Sequence, residues 1–301
     1  MISNLDPNMQ HFLNGLNEIS NKMADAQRRI TTGLKISQVS DAPDSISLLL
    51  DARANLSAAT QKLSNLSRVK TEVDTAEQSL QTAVQLFDKV QTLGAQGASD
   101  VMTASGRADA AQELDSLLQQ MVGLAGTSVE GRYIFAGDTD QQVPYTYTEG
   151  QATPVSAYLG SSSTRLVQHP NGTTFTVART AQEIFDSADP ATNVFGSMQQ
   201  LITALRANDG TAIRAANGGL GKVGEYLNNQ LAFFGTTQNK VTNATDFGNT
   251  LLVQLRTQIS DLEDADLTQA ILELNQAGTQ QQAALQSRAR IPTTTLFDFL
   301  G

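Results

Sequence analysis

The sequence contains no cysteine and no tryptophan, and it has only two histidines among 301 residues. Without cysteine, neither a disulfide framework nor a thiolate zinc site can form. Aromatic residues make up only 5% of the chain, which leaves few side chains for stacking against a ligand. No apolar run approaches the ~20 residues that a membrane-spanning helix requires. We therefore expect no thiol chemistry and no membrane partner.

Positive charge is also scarce, because the formal net charge is −10. A broad phosphate-binding surface needs many lysine and arginine side chains, so we expect no nucleic-acid partner. The first residues, MISNLDPNMQHF, lack the basic start and the apolar core of a cleaved secretory signal. If the protein leaves the cell, we expect export without a cleaved signal peptide.

The first thirty residues carry an apolar pattern with alternating steps of four and three. Its members are Leu5, Met9, Phe12, Leu16, Ile19, Met23, Ala26 and Ile30. A period of 3.5 residues is typical of a helix that wraps around a partner helix. An amphipathic helix on a globular surface would also show a stripe, but eight uninterrupted positions favour a coiled coil.

The C-terminal part carries a second apolar pattern, which is less regular than the first. It comprises Leu252, Leu255, Ile259, Leu262, Leu267, Ile271, Leu274 and Leu285, followed near the end by Leu296, Phe297, Phe299 and Leu300. Burial of either pattern alone gains too little to offset the entropy of ordering a long helix. We therefore predict that both ends form an assembly interface, a terminal coiled coil that pairs them with each other and with neighbouring copies.

Helical patterns also dominate the sequence between the ends. A long helix is predicted to begin near Ser45 and to end at Gly94 or Gly97, with a shorter helix over residues 106–128. After the middle of the chain, a helix is predicted over residues 194–209 with Gly210 as its stop. A second long helix follows from about Thr211 to Leu262.

The middle of the chain changes to short alternations of glycine, proline, threonine, tyrosine and valine. This pattern predicts a small β domain, and Asn171-Gly172 is typical of a hairpin turn. The fold class is therefore mainly α: an elongated antiparallel helical bundle or coiled coil, formed by the N- and C-terminal regions, with a small inserted β domain. The chain ends are expected at one pole and the β insert at the other.

We predict three domains from these patterns. Residues 1–42 and 263–301 would form a terminal coiled-coil domain, residues 43–132 and 183–262 a helical rod domain, and residues 133–182 the β domain. About fifty residues bury little surface on their own, so the β domain is expected to lean on the helices.

No pattern in the sequence points to catalysis. Gly219, Gly221 and Gly224 match the spacing of a dinucleotide-binding loop, but a helical pattern lies on both sides instead of a preceding strand. His11 and His169 have no nucleophile or metal ligand nearby in the sequence. We therefore predict no enzyme activity, no catalytic or metal-binding residue and no cofactor.

Two terminal stretches resemble the flagellin superfamily. RRITTGLKISQVSDAPD, residues 28–44, is similar to the flagellin N-terminal signature, with Thr31-Thr32-Gly33 where flagellins commonly have Ser-Ser-Gly. Asp41 stands near the first position of the family's Asp-Asp pair, and alanine replaces the second. The C-terminal stretch DADLTQAILELNQAGTQQQAALQSRARIPTTTLFDFL resembles the family's terminal helix and its leucine-rich end.

A third stretch, GRYIFAGDTDQQVPY, resembles the flagellin-like hook-associated proteins of the third type more than flagellins. The resemblance implies a joint between the helices and the β domain at Gly131, Tyr133, Phe135 and Gly137. It also implies that Tyr133 and Phe135 begin the first strand of that domain. The alternative is that these aromatic residues are ordinary core residues.

The resemblance implies a secreted structural subunit that forms the junction between hook and filament by helical self-assembly. Its expected partners are neighbouring copies of itself, another hook-associated junction protein on the hook side, flagellin and the filament cap on the distal side, and an export chaperone. One alternative is a flagellin that forms the filament itself. An alternative of another class is a cytoplasmic coiled-coil adaptor.

Overall fold

The structure is a computed structural model, and it describes residues 7–38 and 41–289. In these ranges the elements are α1 (Pro7–Thr32), α2 (Pro43–Gly97), α3 (Ala104–Ala125), β1 (Ser128–Val129), β2 (Arg132–Tyr133), β3 (Leu166–Gln168), β4 (Thr174–Thr176), α4 (Ala181–Phe185), α5 (Val194–Arg206), α6 (Gly210–Glu263) and α7 (Leu267–Ala289). The predicted mainly α class with a small β component is confirmed. Four predicted interface residues lie outside the described ranges: Leu5, Leu296, Phe299 and Leu300.

Local chemistry explains where several helices begin. Proline suits the first turn of a helix, because the N–H that it lacks would have no helical partner there, and α2 begins at Pro43. The side chain of Asn193 caps α5 by accepting a hydrogen bond of 2.7 Å from the backbone N–H of Gly196. The predicted helix stop at Gly210 is wrong, since α5 already ends at Arg206 and Gly210 begins α6.

The chain divides into two compact units. One unit runs from Ala59 to Thr250, and the other takes the described residues up to Ala58 and from Leu251 onwards. We call them the large unit and the terminal unit. The bounds of the three domains predicted from the sequence remain a prediction.

The large unit has one continuous apolar core. Helices α3 and α5 pack against each other through buried side chains spaced by three and four residues, among them Leu114, Leu118 and Met121 of α3 and Met198, Leu201 and Leu205 of α5. Each such side chain contributes ~1.5–3 kcal/mol when it is fully buried. This core therefore holds the large unit together.

The β part of the large unit consists of two short antiparallel hairpins. β1 and β2 are joined by Glu130 and Gly131, whose φ angles of 52° and 77° are those of a type I′ turn. β3 and β4 pair with Val167 opposite Phe175. The turn between them contains Asn171 and Gly172, so the predicted hairpin is confirmed.

The terminal unit contains an antiparallel pair of helices. Arg29 near the end of α1 forms an ion pair of 2.8 Å with Glu273 near the start of α7. At the other end of the pair, the Arg288 guanidinium lies 5.9 Å from the centre of the Phe12 ring. The two ends of the described chain therefore pack side by side.

Two connecting segments of the terminal unit pair with each other. Leu34, just after α1, forms an antiparallel bridge with Asp264, just after α6. The backbone N–H of Lys35 donates to the carbonyl of Glu263 over 2.7 Å, and the N–H of Ala265 donates to the carbonyl of Gly33 over 2.8 Å. The bridge therefore joins the segment that follows α1 to the segment that leads into α7.

None of the helices in the described parts of the chain combines the length and the apolar character that crossing a bilayer demands.

Candidate assembly surface and β-domain joint

The apolar pattern of α1 corresponds to one face of the helix. Ala26 is buried, and the other predicted positions on this face are partly buried: Met9, Phe12, Leu16, Ile19, Met23 and Ile30. Most side chains between them are exposed. This face of α1 therefore has a partner over part of its surface, which is the helix α7.

The face of α7 with buried side chains consists of small residues. Ala270 and Ala277 are buried, and Ala284, two heptads after Ala270, is partly buried. Alanine side chains allow two helices to approach closely. Three of the larger residues predicted for the assembly interface are about half exposed in the single copy, and their contact with neighbouring copies stays a prediction.

Those three residues are Leu267, Ile271 and Leu285, which are 47%, 49% and 51% exposed. Their spacing of four and fourteen residues places them on one face of the helix. We call them the outer stripe of α7. Leu274 is partly buried. Branched aliphatic side chains in a row on a helix surface are what an unpaired coiled-coil face presents.

Ion pairs reinforce the contact between α1 and α7. The carboxylate of Asp25 contacts Arg28 and Arg29 within α1, and Arg29 also reaches Glu273 across the pair. Each of these groups is more than a quarter exposed to solvent. Exposed ion pairs contribute ~0.2–1 kcal/mol, so apolar packing remains the main source of stability in this pair.

The loop between α1 and α2 is organised by Asp41. One oxygen of its carboxylate, Oδ2, accepts hydrogen bonds from the backbone N–H groups of Ser37 and Gln38, at 2.9 and 2.8 Å. These bonds lower the pKa of Asp41 below its ordinary value of 3.8, with the charge of Arg28 as a smaller cause. Asp41 therefore acts as a backbone cap for a segment that matches the flagellin-like signature.

We expect this loop to open in acid. Because the pKa of Asp41 is lowered in the folded state, its hydrogen bonds are fully present above pH 3.8 and are lost as the pH falls further, through the folded value. Amide hydrogen exchange of Ser37 and Gln38, corrected for intrinsic rates, should accelerate in that range. Asp41→Asn should remove the pH dependence and exchange fast at neutral pH. Asp51→Asn on the exposed surface of α2 is the matched control, and equal exchange in both variants would contradict the assignment.

The residues of the predicted β-domain joint have different roles. Phe135 is buried, and its ring makes edge-to-face contacts with Phe185 and Phe234 at centroid distances of 6.3 and 6.1 Å. Tyr133 is partly buried and is the last residue of β2, and Phe135 follows that strand in a turn, so the expectation that these two aromatics begin the first strand is wrong. The ring of Phe135 belongs to the core of the large unit, and a joint role for the four residues remains a prediction.

Glycine is required at two of these positions because both have positive φ angles. Gly131 occupies the second turn position between β1 and β2 with φ 77°, and no neighbouring atom lies near the place of a Cβ. Gly137 has φ 68°, and a Cβ there would clash with the backbone carbonyl of Ser161 and lie 2.9 Å from the carbonyl oxygen of Ser163. Only Gly137 therefore combines backbone strain with a lack of space.

These two glycines give a matched pair of variants. Gly131→Ala should lower the free energy of unfolding of the large unit by ~1–2 kcal/mol, the cost of a left-handed conformation for alanine. Gly137→Ala should cost more than ~2 kcal/mol, since the backbone around Ser161 must also move. Urea denaturation followed by circular dichroism measures both. Equal losses in the two variants would contradict the close approach at Gly137.

A polar contact between the buried Tyr145 and the partly buried Asp186 was not predicted from the sequence. The hydroxyl of Tyr145 donates to Asp186 over 3.1 Å, and the amide of Asn193 donates to the other oxygen of the same carboxylate over 2.9 Å. Burial is the main cause that raises the pKa of Tyr145. Tyr145 and Asp186 are far apart in the sequence, so no local pattern indicates this contact.

The described residues contain no group of three or more acidic or histidine side chains close enough to hold a metal ion. A cavity of about 830 Å³ lies along α5 and the start of α6 and is lined mainly by small side chains such as Gly196, Thr203 and Ala216. The main interactions of the described surfaces are therefore contacts between packed helices.

Two protein-family models match this chain, one in its N-terminal part and one in its C-terminal part. The model of the bacterial flagellin N-terminal helical region matches residues 2–140, and that of the C-terminal helical region matches residues 219–300. Together they cover more than half of the chain, so the chain belongs to the flagellin family.

Within this family, the chain is 26% identical over 314 residues to Flagellar hook-associated protein 3 of Escherichia coli (strain K12), covering 93% of this chain and 94% of that protein. Flagellin B of Helicobacter pylori (strain ATCC 700392 / 26695) is 22% identical over 148 residues, which cover 49% of this chain and 29% of that flagellin. The predicted resemblance to hook-associated proteins is thus confirmed.

Solved structures agree with this fold. Flagellar hook-associated protein-3 from Legionella pneumophila superposes with a TM-score of 0.61 at 14% identity, covering 72% of this chain and 98% of that chain. FlgL from Xanthomonas campestris superposes with a TM-score of 0.60 at 18% identity, covering 69% of this chain and 99% of that chain. At these identities the likeness concerns the fold.

Proposed function

We propose that this protein is a structural subunit of the bacterial flagellum that forms the junction between hook and filament by helical self-assembly. One observation carries the proposal: the similarity to a hook-associated protein spans nearly the full length of both chains, whereas the similarity to Flagellin B spans less than a third of that flagellin. A filament subunit is therefore the less favoured alternative, and a cytoplasmic adaptor has no support among the relatives.

The assembly surface that we propose includes the outer stripe of α7. Full burial of one leucine or isoleucine gains ~1.5–3 kcal/mol, and about half of that gain remains to be realised at Leu267, Ile271 and Leu285. The stripe would thus add roughly 2–5 kcal/mol per copy. A single contact of this size is weak, but a helical assembly of copies repeats it many times, which favours assembly over dimer formation.

The terminal residues predicted from the sequence extend this surface in our proposal. Within one copy, the apolar face of α1 is only partly buried, and the outer stripe of α7 lies beside the alanine face that packs against α1. A neighbouring pair of helices could therefore contact both at once. Leu5, Leu296, Phe299 and Leu300 would belong to the same coiled-coil layer.

We also propose a set of partners for this chain in the flagellum. These are a second junction protein on the hook side, flagellin and the filament cap on the distal side, and an export chaperone. We further propose export without a cleaved signal peptide, as expected from the first residues of the sequence, and a purely structural role without catalysis. The support for the structural role is that the hook-associated relatives are flagellar building blocks.

Antibody labelling of sheared flagella tests the proposed location. We expect a narrow labelled band next to the hook, because a junction contains few copies. Label along the whole filament would instead favour a flagellin, and recovery of the protein only inside cells would favour an adaptor. A strain that lacks the protein should release unpolymerised flagellin into the medium, which provides a second readout.

A further inference from the structure

The tip of the β3–β4 hairpin carries an Asn-Gly pair in an exposed turn. Asn171 and Gly172 are both exposed, and Gly172 has a φ of +97°, which closes the turn in the left-handed region. The backbone N–H of Gly172 donates to the carbonyl of His169 over 2.9 Å. Gly172 has no side chain, so no Cβ of its own crowds this nitrogen, and its hydrogen bond closes an exposed turn.

The side-chain amide of Asn171 is polarised by its neighbour. Its carbonyl oxygen accepts a hydrogen bond of 3.0 Å from the backbone N–H of Thr173 and one of 2.8 Å from the hydroxyl of Thr173. Two donors on one oxygen draw electrons from the amide carbon and stabilise the negative charge that a nucleophile would place on that oxygen. The hairpin tip thus places an activated electrophile next to the backbone nitrogen of a glycine.

The chain has two other Asn-Gly pairs, and both lie inside helices. Asn14-Gly15 is in α1, and Asn217-Gly218 is in α6. Freeing the Gly172 N–H breaks one hydrogen bond of an exposed turn, whereas freeing a backbone N–H inside a helix requires local unwinding of that helix. Asn217 is also partly buried. The three pairs therefore have the same chemistry in different structural settings.

We propose that Asn171 is a site of spontaneous deamidation in the folded protein. The Gly172 backbone nitrogen loses its proton to solvent and attacks the side-chain carbon Cγ of Asn171, forming a C–N bond. The bond from Cγ to the side-chain nitrogen breaks, and that nitrogen leaves as ammonia after protonation. Water then opens the resulting five-membered succinimide at either carbonyl, which produces aspartate or isoaspartate.

The modification would change how the hairpin tip sits on the long helices of the large unit. His169 packs against Phe247 of α6 with ring centres 5.2 Å apart. Pro170 is buried, and a Cβ added at Gly248 would lie 3.3 Å from its ring and still closer to Leu63 of α2. Isoaspartate inserts an additional carbon into the main chain between residues 171 and 172. The turn could not then keep its present contacts with α2 and α6 unchanged.

Peptide mass spectrometry of the full-length protein after incubation at mildly alkaline pH tests the proposal. We expect deamidation at Asn171 to proceed at least about tenfold faster than at Asn217, because opening a turn costs less than opening a packed helix. Both aspartate and isoaspartate should appear. In concentrated urea, all three Asn-Gly pairs should react at similar rates, which shows that each is chemically competent. A native rate at Asn171 no higher than at Asn217 would overturn the proposal.

Thr173→Val isolates the polarising contact. Valine has the shape of threonine and keeps the backbone donor, but it removes the hydroxyl that donates to Asn171. We expect the native rate at Asn171 to fall several-fold, with no change of the rate in urea. An unchanged native rate would show that the hydroxyl plays no part in the reaction.

Discussion

Replacing Ile271 with aspartate should leave the isolated protein folded but prevent its stable incorporation into flagella. Ile271 is 49% exposed on the outer stripe of α7, and a surface substitution changes the free energy of unfolding by only ~0.5 kcal/mol. In an assembly, the same carboxylate would be buried without a partner. Such a charge costs several kcal/mol, which is comparable with the whole contribution of the stripe.

The measurement is the amount of protein bound to purified hook structures, with the thermal stability of the free protein measured in parallel. Gln276→Asp provides the matched control, because Gln276 is exposed on another face of the same helix and receives the same charge. It should be incorporated normally. Ala277→Asp should behave differently from both, since Ala277 is buried in the terminal unit and the variant should lose the α1–α7 pair itself. Normal incorporation of the Ile271 variant would contradict the proposed surface.

Replacing Phe135 with alanine should lower the free energy of unfolding of the large unit by ~3–5 kcal/mol. The ring is buried between Phe185 and Phe234, so its removal leaves a cavity in addition to the lost burial. Urea denaturation should show the transition of the large unit at a much lower midpoint. The α1–α7 pair belongs to the other unit, and its hydrogen exchange should change little.

Phe247→Ala is the control for Phe135→Ala. Phe247 is 46% exposed and contacts the imidazole of His169 at the hairpin tip. Its removal should cost less than ~1.5 kcal/mol, because little apolar surface is uncovered. Similar losses in the two variants would contradict the central contribution of Phe135 to the core of the large unit.

Periodicity alone was enough to identify the large helices. Repeats of three and four residues indicated α2, α3, α5 and α6 within a few residues of their observed ends. A long amphipathic segment contains many apolar positions, and each of them supports the same helical period. The Asn171-Gly172 turn was equally clear, because few residue pairs suit a tight hairpin. The strands were less predictable, because strands of two or three residues contain too few positions to show an alternation.

The contact between α1 and α7 could be predicted from only one of its two sides. Met9, Phe12 and Leu16 are large, and their spacing indicates the shielded face of α1 directly. The facing side of α7 consists of alanines such as Ala270 and Ala277, which occur throughout this sequence and mark no face. The large residues of the outer stripe lie on another face of α7, and their burial against neighbouring copies stays a prediction, because hydrophobicity does not reveal which partner a face will contact.

Solvent access to position 271 before and after assembly tests the central claim most directly. Because the chain contains no cysteine, Ile271→Cys introduces a unique thiol whose labelling by a soluble maleimide reports exposure at this position alone. We predict rapid labelling of the free protein, strong protection in purified hook–filament junctions, and full labelling once those junctions are dissociated in denaturant. A thiol that reacts equally fast in the free and the assembled protein would contradict the claim that the outer stripe is buried between copies.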